Sequence, residues 1–268
     1  MALVLVRGAG DIGSAVAHRA FQLGHRVALH DAPRPAHTRR GMAFTDVFFD
    51  GRCELDAVVA KRARDLEGLA RMLECGRAIP CSDADFHSVV NSLRPAILVD
   101  ARMRKHMVPE TLRGLAPLTI GLGPNFEAGA NADIVVETAW GNELGRVISK
   151  GRAKDLSGEP REIMGHARDR YIYAPEDGAF ETTYGIGNSV SAGESVARIG
   201  EIAIHAPLAG VVRGIVHDRV LVGVGKKVLE IDPRGRPDAV FGIGERPAGI
   251  AVGVLKAIAQ FDAARVAG

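Results

Sequence analysis

Apolar and polar positions alternate in blocks along the first 150 residues. The run A-L-V-L-V at 2–6 reads as a buried strand. Residues 12–23 place apolar side chains at 12, 15, 16, 20 and 23, one face of a helix. Residues 27–29 form a second strand ending at His30-Asp31, and Pro33 and Pro35 mark a loop beyond it. Helical patterning returns over 62–75 and 83–93. Short apolar runs at 78–81, 97–99, 118–122 and 134–136 read as further strands. Strands alternating with helices predict an α/β fold over residues 1–150: a Rossmann-like, doubly wound parallel sheet.

The pattern changes near residue 150. Residues 151–170 are polar and charged, with Gly151, Gly158, Pro160 and Gly165, and read as a linker. From 171 to 235 the chain is glycine-rich and β-branched and holds an internal repeat. Ala174-Pro175, Gly178, Val190, Gly193 and Val196 recur as Ala206-Pro207, Gly210, Val222, Gly225 and Val228, each offset by 32 residues. Two glycine-turned hairpin units predict a small closed all-β barrel. The pattern resembles lipoyl/biotinyl domains, whose carriers hold an acceptor lysine on the hairpin between the halves. Here that hairpin is A-R-I-G-E-I-A-I-H (197–205), with no lysine between Lys154 and Lys226, so neither lipoyl nor biotin attachment is expected. Residues 236–268 read as a C-terminal helix returning to the first domain, with Pro247 in its first turn and Gly249 and Gly253 suited to close packing.

Composition is that of a globular chain: 268 residues, 47% hydrophobic and 25% charged, net charge +2. With basic residues scattered, nucleic-acid binding is not expected. Five apolar residues between Met1 and Arg7 are too few for a signal peptide, and no apolar stretch approaches the ~18 residues of a membrane span. A cytoplasmic protein follows as the expectation, with its three cysteines, Cys53, Cys75 and Cys81, reduced. Cys81 is either a reactive thiol or a small buried apolar residue.

The candidate chemistry starts at R-G-A-G-D-I-G (7–13), between the first strand and the first helix. In a G-x-G-x-x-G, the first glycine turns the chain, the second admits a pyrophosphate to the backbone, and the third packs helix on strand. Free N–H groups at the helix start then meet the anion. Gly8, Gly10, Asp11, Ile12 and Gly13 are therefore candidate cofactor contacts. Asp31, about twenty residues on, stands where a ribose hydroxyl is read. Arg34, Arg39 and Arg40 follow and suit a phosphate, from NADP or another anionic cofactor. A second glycine cluster, G-L-G-P-N-F-E-A-G (121–129), follows the 118–122 strand and suits the same crevice. No metal site is expected, and no catalytic set is evident: there is no Y-x-x-x-K, H-E-x-x-H or G-x-S-x-G.

The stretches 7–12, P-R-P-A-H-T-R-R-G-M-A-F-T-D (33–46), F-D-G (49–51), V-D-A-R (99–102), 121–129, V-E-T (136–138), W-G-N-E-L-G-R-V-I (140–148) and G-I-A-V-G-V-L-K-A-I (249–258) resemble the YqeB-type selenium-dependent molybdenum hydroxylase system proteins. The resemblance implies an accessory role in maturing a molybdenum hydroxylase, by handling a molybdopterin cofactor or labile selenium, akin to xanthine dehydrogenase maturation factors. It carries candidate status to Arg7, Gly8, Gly10, Asp11, Arg39, Arg40, Asp100, Gly121, Gly123, Gly129, Glu137, Thr138, Gly145 and Arg146. Asn125 stands where the family usually has glycine. Two function classes remain: a protein that binds and delivers an anionic cofactor, partnered by a molybdenum hydroxylase, and an NAD(P)-dependent oxidoreductase. Self-association into a homo-oligomer is compatible with either.

Overall fold

In the computed structural model, residues 1–104, 107–155 and 160–267 are described; Gly158 of the predicted linker and Gly268 lie outside them. The first half runs β1 (Leu3–Arg7), α1 (Asp11–Gln22), β2 (Arg26–His30), α2 (Val47–Asp50), β3 (Arg52–Leu55), β4 (Val58–Arg62), α3 (Leu66–Cys75), β5 (Ile79–Ser82), α4 (Phe86–Leu93), β6 (Ile97–Asp100), β7 (Leu118–Leu122), β8 (Glu127–Ala128), β9 (Ile134–Val136), β10 (Val147–Ile148) and β11 (Gly151–Arg152). Nine of these strands form one sheet in the order β10-β9-β7-β6-β1-β2-β5-β4-β3, while β8 and β11 pair separately. Leu5, Ala28 and Leu98 bury one face of the sheet against α3 and α4. Val4, Val6, Val27, Leu29 and Val99 bury the other against α1 and the C-terminal helix. Each buried valine or leucine among these stabilises the fold by about 1.5–3 kcal/mol. Asp65 and Asp85 start α3 and α4 by accepting the N–H groups of Gly68 and Ser88.

The second half contains β12 (Tyr171–Tyr173), β13 (Gly178–Glu181), β14 (Ser189–Val190), β15 (Ser195–Ile199), β16 (Ile202–His205), β17 (Gly210–Ile215), β18 (Val220–Val222), β19 (Lys227–Asp232) and α5 (Glu245–Ala267). Its strands form two four-stranded antiparallel sheets, β12-β19-β17-β14 and β16-β15-β13-β18, around one apolar core.

This architecture corrects the expected Rossmann-like doubly wound parallel sheet with a closed lipoyl/biotinyl-like barrel. The large sheet is mixed, because β3 and β10 run antiparallel at its two edges. Among the described residues, the connections after β6 and β7 hold no helix where a doubly wound fold needs one, and carry Pro109, Gly114, Pro117, Gly123 and Pro124. The second half is a two-sheet sandwich, because each unit exchanges a strand pairing with the other, β13 with β18 and β14 with β17. Sheet predominates overall, spread over four sheets.

The repeat is visible in the turns. Gly193 donates its N–H to the Ala206 carbonyl at 2.8 Å, and Gly225 donates to the Ala174 carbonyl at 2.9 Å. Ala206 and Ala174 donate back to the carbonyls of Glu194 and Lys226, both at 2.8 Å. Gly193 and Gly225 sit at φ +79° and +76°, the left-handed region that a glycine enters without strain. Each unit is thus closed by the turn of the other.

Segment 33–46 fastens the two halves. Thr38 accepts the Ile215 N–H at 2.9 Å, Arg40 donates from Nε to the Ile215 carbonyl at 2.9 Å, and the Phe49 and His217 rings stack at 3.9 Å. Helix α5 then crosses back onto α1. A Cβ on Gly253 would overlap the Gly145 carbonyl, so helix and loop touch backbone to backbone.

Candidate functional site

The start of α1, segment 36–42, strands β12, β17 and β19, loop 138–140 and the first turn of α5 enclose a cavity of about 1040 Å³. Its chemistry is organised by Glu230, fully buried on β19. Arg39 donates to both Glu230 oxygens, from Nε at 2.9 Å and from Nη2 at 3.0 Å. Lys227 Nζ lies 2.9 Å from Oε2, Arg170 Nη1 3.2 Å from Oε1, and Arg213 Nε 3.3 Å from Oε1. Four cations therefore surround one carboxylate. Asp11 takes the remaining amino group of Arg39 at 3.2 Å, and Asp232 pairs with Arg213 and Arg234. Arg246, on α5, donates from Nε to the Thr138 carbonyl at 2.7 Å.

Cations outnumber carboxylates here, and the titration behaviour follows. Burial lowers the Lys227 pKa, the Glu230 charge offsets this only in part, and Arg39 adds to it. Burial likewise lowers Arg246 and Arg213. For Glu230, burial opposes ionisation, but Arg39 and Lys227 hold the carboxyl well below its usual range. Burial also opposes ionisation of Asp11, yet Arg39 first and then Lys227 hold its pKa at about 2. His37 is held neutral by burial, which outweighs the attraction of Asp11.

The glycines of the loop turn and pack the chain, and the N–H groups of Gly8, Ala9, Asp11 and Ile12 are occupied. Gly8, at φ +110°, passes so close to the Ala101–Arg102 backbone that a Cβ would come within 2.9 Å of Arg102 N, and a Cβ on Gly13 would overlap the Gly8 carbonyl. Over Gly10, where a pyrophosphate was expected, lies the imidazole of His37, 3.0 Å from where a Cβ would be. His37 Nε2 accepts the Asp11 N–H at 3.2 Å, and Asp11 Oδ1 accepts the Ile12 N–H at 3.1 Å. Asp31, expected at a ribose, accepts the N–H groups of Ala9 at 2.6 Å and Ala32 at 2.7 Å.

The other predicted residues divide by location. Asp11, Ile12, Arg39 and Thr138 line the cavity. Arg40 pairs with Asp46 at the junction of the halves. Asp100 is buried and bound by Arg102, which with Arg7 also holds Glu110. Glu137 is buried and accepts the N–H groups of Thr138, Ala139 and Lys154 at 2.7–2.8 Å, tying two loops together. A Cβ on Gly121 would overlap the Phe126 ring, and one on Gly123 would press on Thr138 Oγ1 at 2.8 Å, so both glycines serve packing. Burial pushes the Cys81 thiol well above its usual range, leaving it a protonated, buried side chain.

Sequence reasoning missed His37, Arg170, Arg213, Lys227, Glu230 and Arg246. One signal for them was present: K-V-L-E-I-D (227–232) puts three charged residues into an apolar strand, and charge there requires partners. Among the described residues, no group of three or more His, Cys, Asp or Glu is arranged to hold a metal ion, and no helix is long and apolar enough to cross a membrane.

Fold and site together define a two-part protein with a cation-rich cavity at the junction of a mixed sheet and a β-sandwich. No family model matches the chain. It is similar to an uncharacterised protein of Escherichia coli K12 called YqeB, with 38% identity over 256 residues covering 96% of this chain and 47% of that one. The chain spans about half the length of that relative. Among solved structures, it is similar to a product-bound ectoine utilization protein EutE (DoeB) of Ruegeria pomeroyi, at 11% identity, coverage of 86% and 85% of the two chains and TM-score 0.27. A succinylglutamate desuccinylase/aspartoacylase of Rhodobacter sphaeroides matches at 18% identity, coverage of 86% and 84% and TM-score 0.26. Scores this low carry no statement about shared chemistry.

Proposed function

We propose that the protein binds a multiply charged anionic cofactor, of nucleotide or molybdopterin type, in the junction cavity, and acts as an accessory factor in maturing a molybdenum hydroxylase. The binding half of this reading rests on one observation: Arg39, Arg170, Arg213 and Lys227 converge on the single carboxylate of Glu230. Water-excluded cations in excess of their counter-charges favour an incoming anion. The maturation half rests on the motif resemblance alone. The alternative of an NAD(P)-dependent oxidoreductase leans on the glycine loop, where His37 already stands over Gly10.

Trp140 is the only tryptophan of the sequence and lines the cavity, so its fluorescence reports occupancy. Titration with pyrophosphate, nucleotides and pterin phosphates is expected to change it saturably, and mass spectrometry of the purified protein identifies any small molecule that travels with it. A signal that stays flat with every anion rejects the reading.

A further inference from the structure

We propose that His37 is the specificity-determining neutral donor of the cavity, fixed between the start of α1 and the ligand so that its Nδ1–H meets a phosphate-type oxygen. This deepens the anionic-cofactor reading and rests on it.

The argument begins with the proton on the ring. A backbone N–H can only donate, so the 3.2 Å contact from Asp11 N requires His37 Nε2 to be bare. Burial keeps the imidazole neutral. A neutral ring with a bare Nε2 carries its proton on Nδ1. Among the described residues no group hydrogen-bonds that Nδ1, although the residue forms part of the cavity wall. A donor with no protein acceptor, beside a set of cations, is matched by a ligand oxygen.

Gly10 explains why the ring is at this place. The imidazole rests on the bare Cα, with Nδ1 and Cε1 each 3.0 Å from where a Cβ would stand, so any side chain at position 10 displaces it. The space that a phosphate takes over such a glycine is here filled by an imidazole, which receives one N–H of the helix start on Nε2 and carries another N–H on Nδ1. The positive end of α1 is thereby handed on rather than presented directly. Around it, the charged groups facing the ring are Asp11, whose carboxylate Arg39 neutralises, and Arg39, Lys227 and Asp31. A neutral N–H beside Arg39 and Lys227, carried by different elements, suits a tetrahedral oxyanion with several oxygens better than a planar carboxylate with two.

The test uses the full chain with ¹⁵N-labelled histidine and inorganic pyrophosphate as probe. NMR is expected to show His37, assigned by its loss in His37→Gln, as the Nδ1–H tautomer, with its ring nitrogens shifting on pyrophosphate addition. By Trp140 fluorescence, His37→Gln, whose amide both accepts and donates, keeps pyrophosphate affinity within a few-fold. His37→Leu, which does neither, loses about tenfold or more. An Nε2–H tautomer, or undiminished affinity in the leucine variant with an unchanged fold, overturns the role of His37 while leaving the cavity reading in place. Absence of any pyrophosphate binding to the unaltered protein rejects both.

Discussion

Arg39 grips both carboxylate oxygens of Glu230, and through that pair the segment after β2 is bound to the last strand of the sandwich. The two partners are not equivalent. Glu230 has three other cations, whereas those cations share Glu230 as their central counter-charge. Removing a partner from a buried ion pair costs about 3–5 kcal/mol when the remaining charge is uncompensated. Glu230→Gln, which removes the shared counter-charge of four cations and leaves Arg170 and Lys227 without a carboxylate, is therefore expected to reach that range, and Arg39→Met to fall short of it. Urea unfolding of the two variants gives the order directly.

Acid should weaken the fold through Asp11. Its folded pKa lies near 2, below the ordinary aspartate value of 3.8. A lowered carboxyl pKa contributes stability that is present above the unfolded value and is lost as pH falls through the folded one. The contribution is about 2 kcal/mol, lost between about pH 4 and pH 2. Asp11→Asn should be less stable than the parent at pH 7, and the gap should close in that window; a gap independent of pH excludes this account.

Lys227 sets an alkaline limit on anion binding. Its pKa is lowered by burial, so the free cavity loses this charge below the ordinary lysine value of 10.5. Pyrophosphate affinity is expected to fall as pH rises through that lowered value. In Lys227→Met the affinity is weaker throughout and this limb is absent, which binding curves at several pH values show.

At Gly253 two effects oppose each other. Alanine in place of glycine inside a helix gains about 1 kcal/mol of backbone propensity. The new methyl, however, overlaps the Gly145 carbonyl, and overpacking of a tight contact costs about 1–3 kcal/mol. The partner atom is backbone and has no rotamer to escape into, so the cost prevails. Gly253→Ala should be destabilised in urea, with earlier proteolysis of α5.

An intact-mass measurement from a host with active lipoyl and biotin ligases should match the bare chain. The β15–β16 hairpin that joins the two repeat units carries Gly200-Glu201 at its tip and no acceptor lysine.

How much of this was legible in the chain depends on how local the cause was. The glycine loop could be read because its glycines are needed within a few residues of one another. The β3–β4 hairpin escaped notice because its turn is Asp56-Ala57, with φ of +43° and +66° and no glycine to mark it. The edge strands and the loops replacing helices after β6 and β7 escaped for another reason: strand direction is settled by pairing partners, which periodicity does not reveal. The cavity was the least legible part. Arg39, Arg170, Arg213 and Lys227 lie on four separate stretches: strand pairing within the second half gathers three of them around Glu230, and only the docking of segment 33–46 adds Arg39.

The exchanged turns of the sandwich bear on how it folds. Ala174 meets Gly225, and Ala206 meets Gly193, so a single 32-residue unit has no internal partner for either its alanine or its glycine turn. A lone unit finds both only in a second copy of itself, related by a two-fold axis. Neither unit can therefore close its turns before the other has formed, and this half folds as a pair or not at all.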